Sequence, residues 1–275
     1  MGRYFLYRIN PFSVAEIAAQ SPPTARIIRP QKRINENEFK ALWEHGGYPE
    51  PFLKRNKTFS RRWQSLRRHQ LLREDIRDLT GIQELSQIEI LAENLAALSG
   101  TQIVYKHLAR NAGVSIDTAR RWVQTLTGLH FGFLIRPWFK NIGRSLRKEP
   151  KWYLRDWSTI ADPGQRAETF TACHLLKAVE GWSDAGLGEF QLRYLRDKEK
   201  REVDFAVIRD GKPWMLIEVK KSETTLSPNL AHFQTQCGAL HAFQLVMDIP
   251  YVDADCFLRR KPTVVPARTL LSQLL

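Results

Sequence analysis

REVDFAVIRDGKPWMLIEVKK, residues 201–221, decides how the second half of the chain folds. On either side of Asp210-Gly211, apolar residues recur with the period of two that a β-strand imposes, so the segment predicts a β-hairpin. Asp204, Glu218 and Lys220 interrupt that pattern. Glu218 and Lys220 are two positions apart and therefore share one strand face. Whether Asp204 joins them depends on the turn. A two-residue loop at Asp210-Gly211 pairs Asp204 with Ile217 and sends its side chain to the other face. A three-residue loop, Arg209-Asp210-Gly211, pairs Asp204 with Leu216, diagonal to Glu218 at about 7 Å between Cβ atoms. Gly211 suits the left-handed third position of that longer loop, which is the expectation.

Two carboxylates on one sheet face with a lysine beside them suit a hard divalent cation. Mg²⁺ is commonly held by one or two carboxylates plus substrate phosphate and water. It acidifies a bound water and offsets charge on a phosphodiester. Asp204 and Glu218 are the candidate ligands for Mg²⁺ or Mn²⁺, and Lys220 the group that orients the water or steadies developing charge. Apolar residues flank Glu218 in MLIEV, and a buried carboxylate needs partners.

The chain has 275 residues, enough for one large or two smaller domains. Its 42 Lys and Arg against 29 Asp and Glu leave a net charge of +13. That excess favours nucleic acid or another polyanion as partner, through counterion release. No apolar run approaches the roughly 18 residues of a membrane span and no signal peptide opens the chain, so the expected setting is the cytoplasm, with no membrane partner. Cys173, Cys237 and Cys256 are too few and too scattered for a disulfide frame or a CxxC metal site, and read as reduced thiols. There is no HExxH, and His174 reads as a satisfied, semi-buried histidine.

Three regions follow from the patterning, residues 1–35, 36–155 and 156–275. In the first, GRYFLYRIN reads as a short strand, PFSVAEIAAQ as a turn and helix, and SPPTARIIRPQKRI as a Pro-rich linker. The second is helical, broken at Gly46-Gly47 and Pro49 in a structural corner. Lys54 to Arg73 holds eight Lys or Arg and no acid, interleaved with Trp63, which suits a polyanion-facing surface. Farther on, YKHLA, a turn at AGVS and a helix over Thr118–Thr127 precede two strands around the basic turn NIGRSLRKEP, a winged-helix pattern. Ser115 or Asp117 can cap that second helix. Arg61, Arg62, Arg67, Arg68, Arg120 and Arg121 are the candidate nucleic-acid contacts. The third region alternates helix and strand, with a helix at QRAETFTACHLLKAVEGW, strands at 189–196, 202–208 and 214–220, a helix at 229–238 and a strand at 241–247.

The spacing D-x(13)-E-x-K formed by Asp204, Glu218 and Lys220 resembles the core of the PD-(D/E)XK nucleases, although EVDF lacks their Pro-Asp pair. Glu168 in QRAETF stands where that superfamily often carries a further acid. The wider chain is similar to a prokaryotic AAA-type ATPase family with an uncharacterised C-terminal domain, on INPFSVAEI, FKALWEHGGYPE, LLREDIRDL, LARNAGVSIDTARRWVQTL, WYLRDW and EVDF…IEVKKSE. The resemblance implies a mixed α+β or α/β chain, with a helical and winged-helix region ahead of a restriction-endonuclease-like mixed-sheet domain. It implies that residues 1–35 are the end of a nucleotide-binding domain and that the rest is a C-terminal portion. No GxxxxGK[ST] occurs, so no nucleotide site and no ATP hydrolysis are expected here. The implied function is a DNA-binding module, DNA rather than RNA, with a nuclease-like site of Asp204, Glu218, Lys220 and Glu168 and other ATPase subunits as partners. The alternative is a catalytically idle nuclease fold that serves as an interaction or regulatory module of the ATPase.

Overall fold

A computed structural model describes residues 7–19, 26–138 and 149–274. The chain is mixed α/β, a helical N-terminal region followed by strands and helices that build one eight-stranded sheet. The helices of the first region are α1 (Val14–Ala19), α2 (Glu36–His45), α3 (Pro49–Lys54), α4 (Lys57–His69), α5 (Ile76–Thr80) and α6 (Leu85–Ala97). Their ends follow the sequence chemistry. Asn35 caps α2 by accepting the Asn37 N–H at 2.8 Å, and Asn56 caps α4 by accepting that of Phe59 at 2.9 Å. Gly46 closes α2 at φ 84°, a conformation that glycine adopts without strain. A wide helical turn, Gln70–Asp75, joins α4 to α5.

Strand β1 (Thr101–Gln102), α7 (Tyr105–Ala112) and α8 (Ile116–Gly128) come next, then β2 (Gly132–Pro137) and β3 (Lys151–Leu154). Ser115, rather than Asp117, caps α8 by accepting the Thr118 N–H at 3.0 Å. Most of the predicted basic turn, residues 141–150, lies outside the described residues, which resume at 149. The helix α9 (Pro163–Asp184) opens on Asp162, which accepts the Gln165 N–H at 2.7 Å, with Pro163 in its first turn. Then follow β4 (Phe190–Arg196), β5 (Glu202–Arg209), β6 (Lys212–Lys220), α10 (Pro228–Cys237), β7 (His241–Val246), β8 (Thr263–Pro266) and α11 (Ala267–Ser272).

The sheet runs in the order β1-β3-β2-β4-β5-β6-β7-β8. Strands β4, β5 and β6 are antiparallel, while β6-β7-β8 and β2-β4 pair in parallel. The β2–β4 seam holds only Arg136 with Arg193 and Pro137 with Tyr194. One sheet therefore runs across position 155, where the sequence pattern changes. On one face, Phe170, Leu175 and Trp182 of α9 pack on Phe205, Val207, Met215 and Ile217. On the other, Leu230 and Phe233 of α10 cover Ala206, Ile208 and Leu216. A separate cluster, including Leu91, Leu95, Leu108, Trp122 and Leu126, holds the helices from α5 to α8 together against Trp152.

The N-terminal stretch departs from expectation. Residues 7–10 form no strand, and the rest of GRYFLY lies outside the described residues. Tyr7 to Asn10 instead runs along the C-terminal half of α9. There the Arg8 N–H donates to Asp184 at 3.1 Å and the Asn10 amide donates to Glu180 at 2.9 Å, so no sheet edge is offered. The predicted linker is described only from residue 26, and 26–35 carries no regular structure. Strands β1 and β8 and helix α11 lie outside the sequence expectation, being short segments with little periodic signal. His174 is buried and satisfied, its Nδ1 2.8 Å from the Phe170 carbonyl and its Nε2 accepting the Val14 N–H at 3.1 Å. Burial lowers its pKa to about 4. All three cysteines are free thiols.

Candidate functional site

The β5–β6 hairpin turns on two residues, not three. Arg209 pairs with Lys212, and Asp210 (φ 49°) and Gly211 (φ 78°) are both left-handed, as a two-residue type I′ turn requires. By itself that register would separate Asp204 from Glu218. It is offset by a bulge. Ile208 pairs with Pro213 but Val207 pairs with Met215, leaving Trp214 as an extra residue on β6. Pro213 has no N–H to give the ladder, so the shift falls where a bond is already lost. Beyond it Phe205 pairs with Ile217, which brings Asp204 level with Glu218 rather than diagonal to it.

A second bulge lies on the other side of β5. Between the pairs Arg193–Ala206 and Leu195–Val203, Tyr194 alone on β4 faces Asp204 and Phe205 together. Glu202 and Asp204, two positions apart on β5, both reach the same ammonium, that of Lys151 at the start of β3. Lys151 Nζ lies 2.5 Å from Glu202 Oε1, 3.0 Å from Glu168 Oε1 and 3.6 Å from Asp204 Oδ1. Tyr153, two residues along β3, donates its hydroxyl to Glu168 Oε1 at 2.6 Å. Asp204 Oδ2 accepts the Val219 N–H at 2.8 Å, which ties it to the strand bearing Glu218 and Lys220. There Lys220 Nζ donates to Glu218 Oε1 at 3.0 Å. The other Glu218 oxygen, Oε2, is buried and receives no hydrogen bond from the described residues.

The sequence-predicted acids and lysine thus meet in one neighbourhood as two linked groups, Glu168 with Asp204 around Lys151, and Glu218 with Lys220. Burial, and then the Asp204 charge, push the carboxyls of both Glu168 and Glu218 up to about 7. Asp204 is itself raised by burial, against the pull of Lys151 and the Val219 N–H. For Lys151, burial opposes the charge, yet Glu168, Asp204 and Glu202 outweigh it and hold the ammonium protonated. Lys220 is likewise raised by Glu218, against the effect of burial.

The sequence motifs do not point to Lys151, Tyr153 and Glu202. Glu202 carries a signal, since it stands two positions before Asp204 on a strand. Lys151 and Tyr153 share that spacing in KWYL, but nothing local ties them to the hairpin. Among the described residues no three His, Cys, Asp or Glu side chains stand as a ready metal cage. A cation between Asp204 and Glu218 would complete its shell with water and substrate oxygen, as Mg²⁺ commonly does. The unpartnered Glu218 Oε2 fits such a ligand, because a carboxylate oxygen can only accept or coordinate.

The candidate nucleic-acid arginines divide. Arg61 and Arg62 on α4 are exposed, with no ion pair among the described residues. Arg67 donates to the Tyr48 hydroxyl at 2.6 Å and lies 4.3 Å above its ring, while Arg68 pairs with Glu93 at 2.8 Å. Arg120 and Arg121 are exposed on α8, Arg120 lying 3.6 Å from Asp117. A cavity of about 700 Å³ opens between α4 and the start of α9, lined by Trp63, Arg67, Arg68, Phe131, Asp156 and Gln165 among others. No helix among the described residues is long and apolar enough to cross a membrane.

Residues 36–161 match the family model of a domain of unknown function (DUF8612), and residues 163–266 that of a second domain of unknown function (DUF4143). Over 190 residues the chain is 27% identical to the uncharacterized protein Rv2008c of Mycobacterium tuberculosis and to the uncharacterized protein Mb2031c of Mycobacterium bovis. The match covers 66% of this chain and 43% of each relative, so the chain spans less than half the length of the curated relatives it matches. No solved structure matches it significantly. The chain thus joins two domains of unknown function and is distantly similar to those mycobacterial proteins.

Proposed function

We propose that the chain is a DNA-binding module with a PD-(D/E)XK-like site that hydrolyses phosphodiesters with Mg²⁺ or Mn²⁺, and that it works as the C-terminal portion of an AAA-type ATPase. One observation carries the reading. Glu218, buried and with an oxygen that no donor among the described residues reaches, sits level with Asp204 and beside Lys220. A buried carboxylate left this way is costly unless something fills the gap, and a hard cation does so. When bound there, the metal would acidify a water and offset phosphate charge. Lys220, protonated and partly exposed, is placed to steady a phosphate oxygen or to align the attacking water. Glu168 belongs to the outer part of the site, held by Lys151 and Tyr153.

DNA binding is supported by the net charge of +13, by exposed Arg61, Arg62, Arg120 and Arg121, and by the order of elements from α6 to β3. The order helix, short strand, two helices and a hairpin, with the short strand paired to the last, is the order expected of a winged helix and supports the reading of 36–155 as a DNA-binding unit. One observation favours the idle alternative, in which the fold serves an ATPase as an interaction or regulatory module. Lys151 already neutralises much of the acid cluster without any metal.

The test is a Mg²⁺ and Mn²⁺ titration of the purified chain on labelled single-stranded, duplex and branched DNA, scoring binding and cutting together. Metal-dependent cutting that disappears in Glu218→Ala while binding persists is the expected result. Binding without cutting at any metal concentration overturns the hydrolase and leaves the DNA-binding module. If nothing binds even at low salt, both fail and the interaction module takes their place.

A further inference from the structure

Lys151 is a deeply confined ion that no sequence motif pointed to. Its side chain is 5% exposed, and its ammonium lies between three carboxylates from two elements, Glu168 of α9 and Glu202 and Asp204 of β5. Glu168 and Glu202 each take one of its three N–H donors, and the Asp204 carboxylate, 3.6 Å away, completes the charge pairing as an ion pair. The carboxylates it gathers include one of the two candidate cation ligands. Counting the whole site, four carboxylates (Glu168, Glu202, Asp204, Glu218) face three cations, Lys151, Lys220 and Arg196, the last 3.0 Å from Glu202. A doubly charged ion added to that nearly balanced set brings an excess of positive charge into a buried space, unless an ammonium withdraws.

We infer that Lys151 is the built-in counter-ion of this pocket, competing with divalent cations for Asp204 and Glu168. A cation gains those carboxylates only as Lys151 gives them up. The inference rests on the reading of Asp204 and Glu218 as a cation site, and it adds that the site is set to bind metal weakly until the lysine is drawn away. Developing negative charge on a nearby phosphate is the chemistry suited to draw it, since an ammonium is a mobile point charge on a flexible stem.

Mn²⁺ binding to the full chain, followed by titration calorimetry and by the spin-resonance signal of free Mn²⁺, tests this without reference to any activity. Lys151→Met keeps most of the apolar stem and removes the charge. The expected result is at least tenfold tighter Mn²⁺ binding than in the wild type, lost again on adding Asp204→Asn. Three buried carboxylates without their ammonium can prevent folding. The double variant Lys151→Met/Glu202→Gln removes one negative charge with the positive one, and is expected to show the same gain. Wild-type binding with no gain in either variant overturns the counter-ion and leaves the cation site standing. A gain that survives Asp204→Asn overturns it too, since the ion is then elsewhere. If no variant binds Mn²⁺, the counter-ion and the cation site fall together.

Discussion

Asp204 accepts the backbone N–H of Val219 at 2.8 Å, so its carboxylate is fixed by the very strand that carries Glu218 and Lys220. The same side chain presents its second oxygen to Lys151, 3.6 Å away. Asp204 is therefore the link between the two halves of the site, and its charge helps raise both Glu168 and Glu218. Two bulges, one on each side of β5 or its partner, make this possible. Such irregularities re-aim side chains that a regular ladder would hold on one face.

The raised carboxyls predict how stability varies with pH. A group whose folded pKa lies above its unfolded value stabilises the fold fully below the unfolded pKa, and loses that contribution as pH rises through the folded one. For Glu218 the window runs from about 4.5 to about 7. Glu218→Gln removes the ionisation. It should leave stability near pH 4 little changed, while at pH 8 it should stabilise by about 1–3 kcal/mol, because a tenfold change in proton affinity between folded and unfolded chain is worth about 1.4 kcal/mol. Urea melts of both proteins at the two pH values decide it, and a variant less stable than the wild type at pH 8 would refute the assignment.

Gly132→Ala should weaken the seam between the helical region and the sheet. A Cβ at this position would stand 2.2 Å from Trp152 Cζ2 and 2.5 Å from the Tyr153 carbonyl oxygen, and the latter is backbone that cannot move aside. Overpacking of this kind costs about 1–3 kcal/mol and sometimes more. The same change at Gly128, where a Cβ meets nothing within 4 Å, should be tolerated. Thermal melts of the two variants side by side should differ by several degrees, and equal midpoints would contradict this packing.

The arginines of α4 should separate by function. Arg61→Ala/Arg62→Ala should leave the melting temperature in place, weaken DNA binding about tenfold and lower the salt slope by roughly 1 per residue. Arg67→Ala should instead lower stability, because Arg67 stacks on Tyr48 and bonds its hydroxyl. Filter binding at several salt concentrations, with a melt of each variant, reads both effects. A salt slope unchanged by the first pair would remove α4 from the interface.

The helices and strands are largely legible because each rests on local rules. Asn35, Asn56, Ser115 and Asp162 cap where capping residues are expected, and β4 to β7 follow apolar patterns of strand length. The turn departs from the three-residue expectation for a physical reason. Asp210-Gly211 fits a two-residue loop well, and only the rule that one residue of slip reverses every face argues against it. That rule holds for a regular ladder. Pro213, which cannot donate, is the visible hint that this ladder is not regular.

By itself, then, the sequence determined most of the secondary elements, the chain's strong positive charge, and the grouping of Glu218 with Lys220, since all of these follow from residue type, helix and strand period, and caps. Tertiary structure alone decided that Lys151 and Tyr153 reach Glu168, that Glu202 and Asp204 turn to one ammonium, and that Arg67 and Arg68 of the basic helix are spent on internal contacts. Those meetings join residues distant in the chain across a packed sheet, and no local period records them. They come from the bulges, the parallel seam of β2 with β4, and the burial that makes a lone charge in this pocket too costly to leave unpaired.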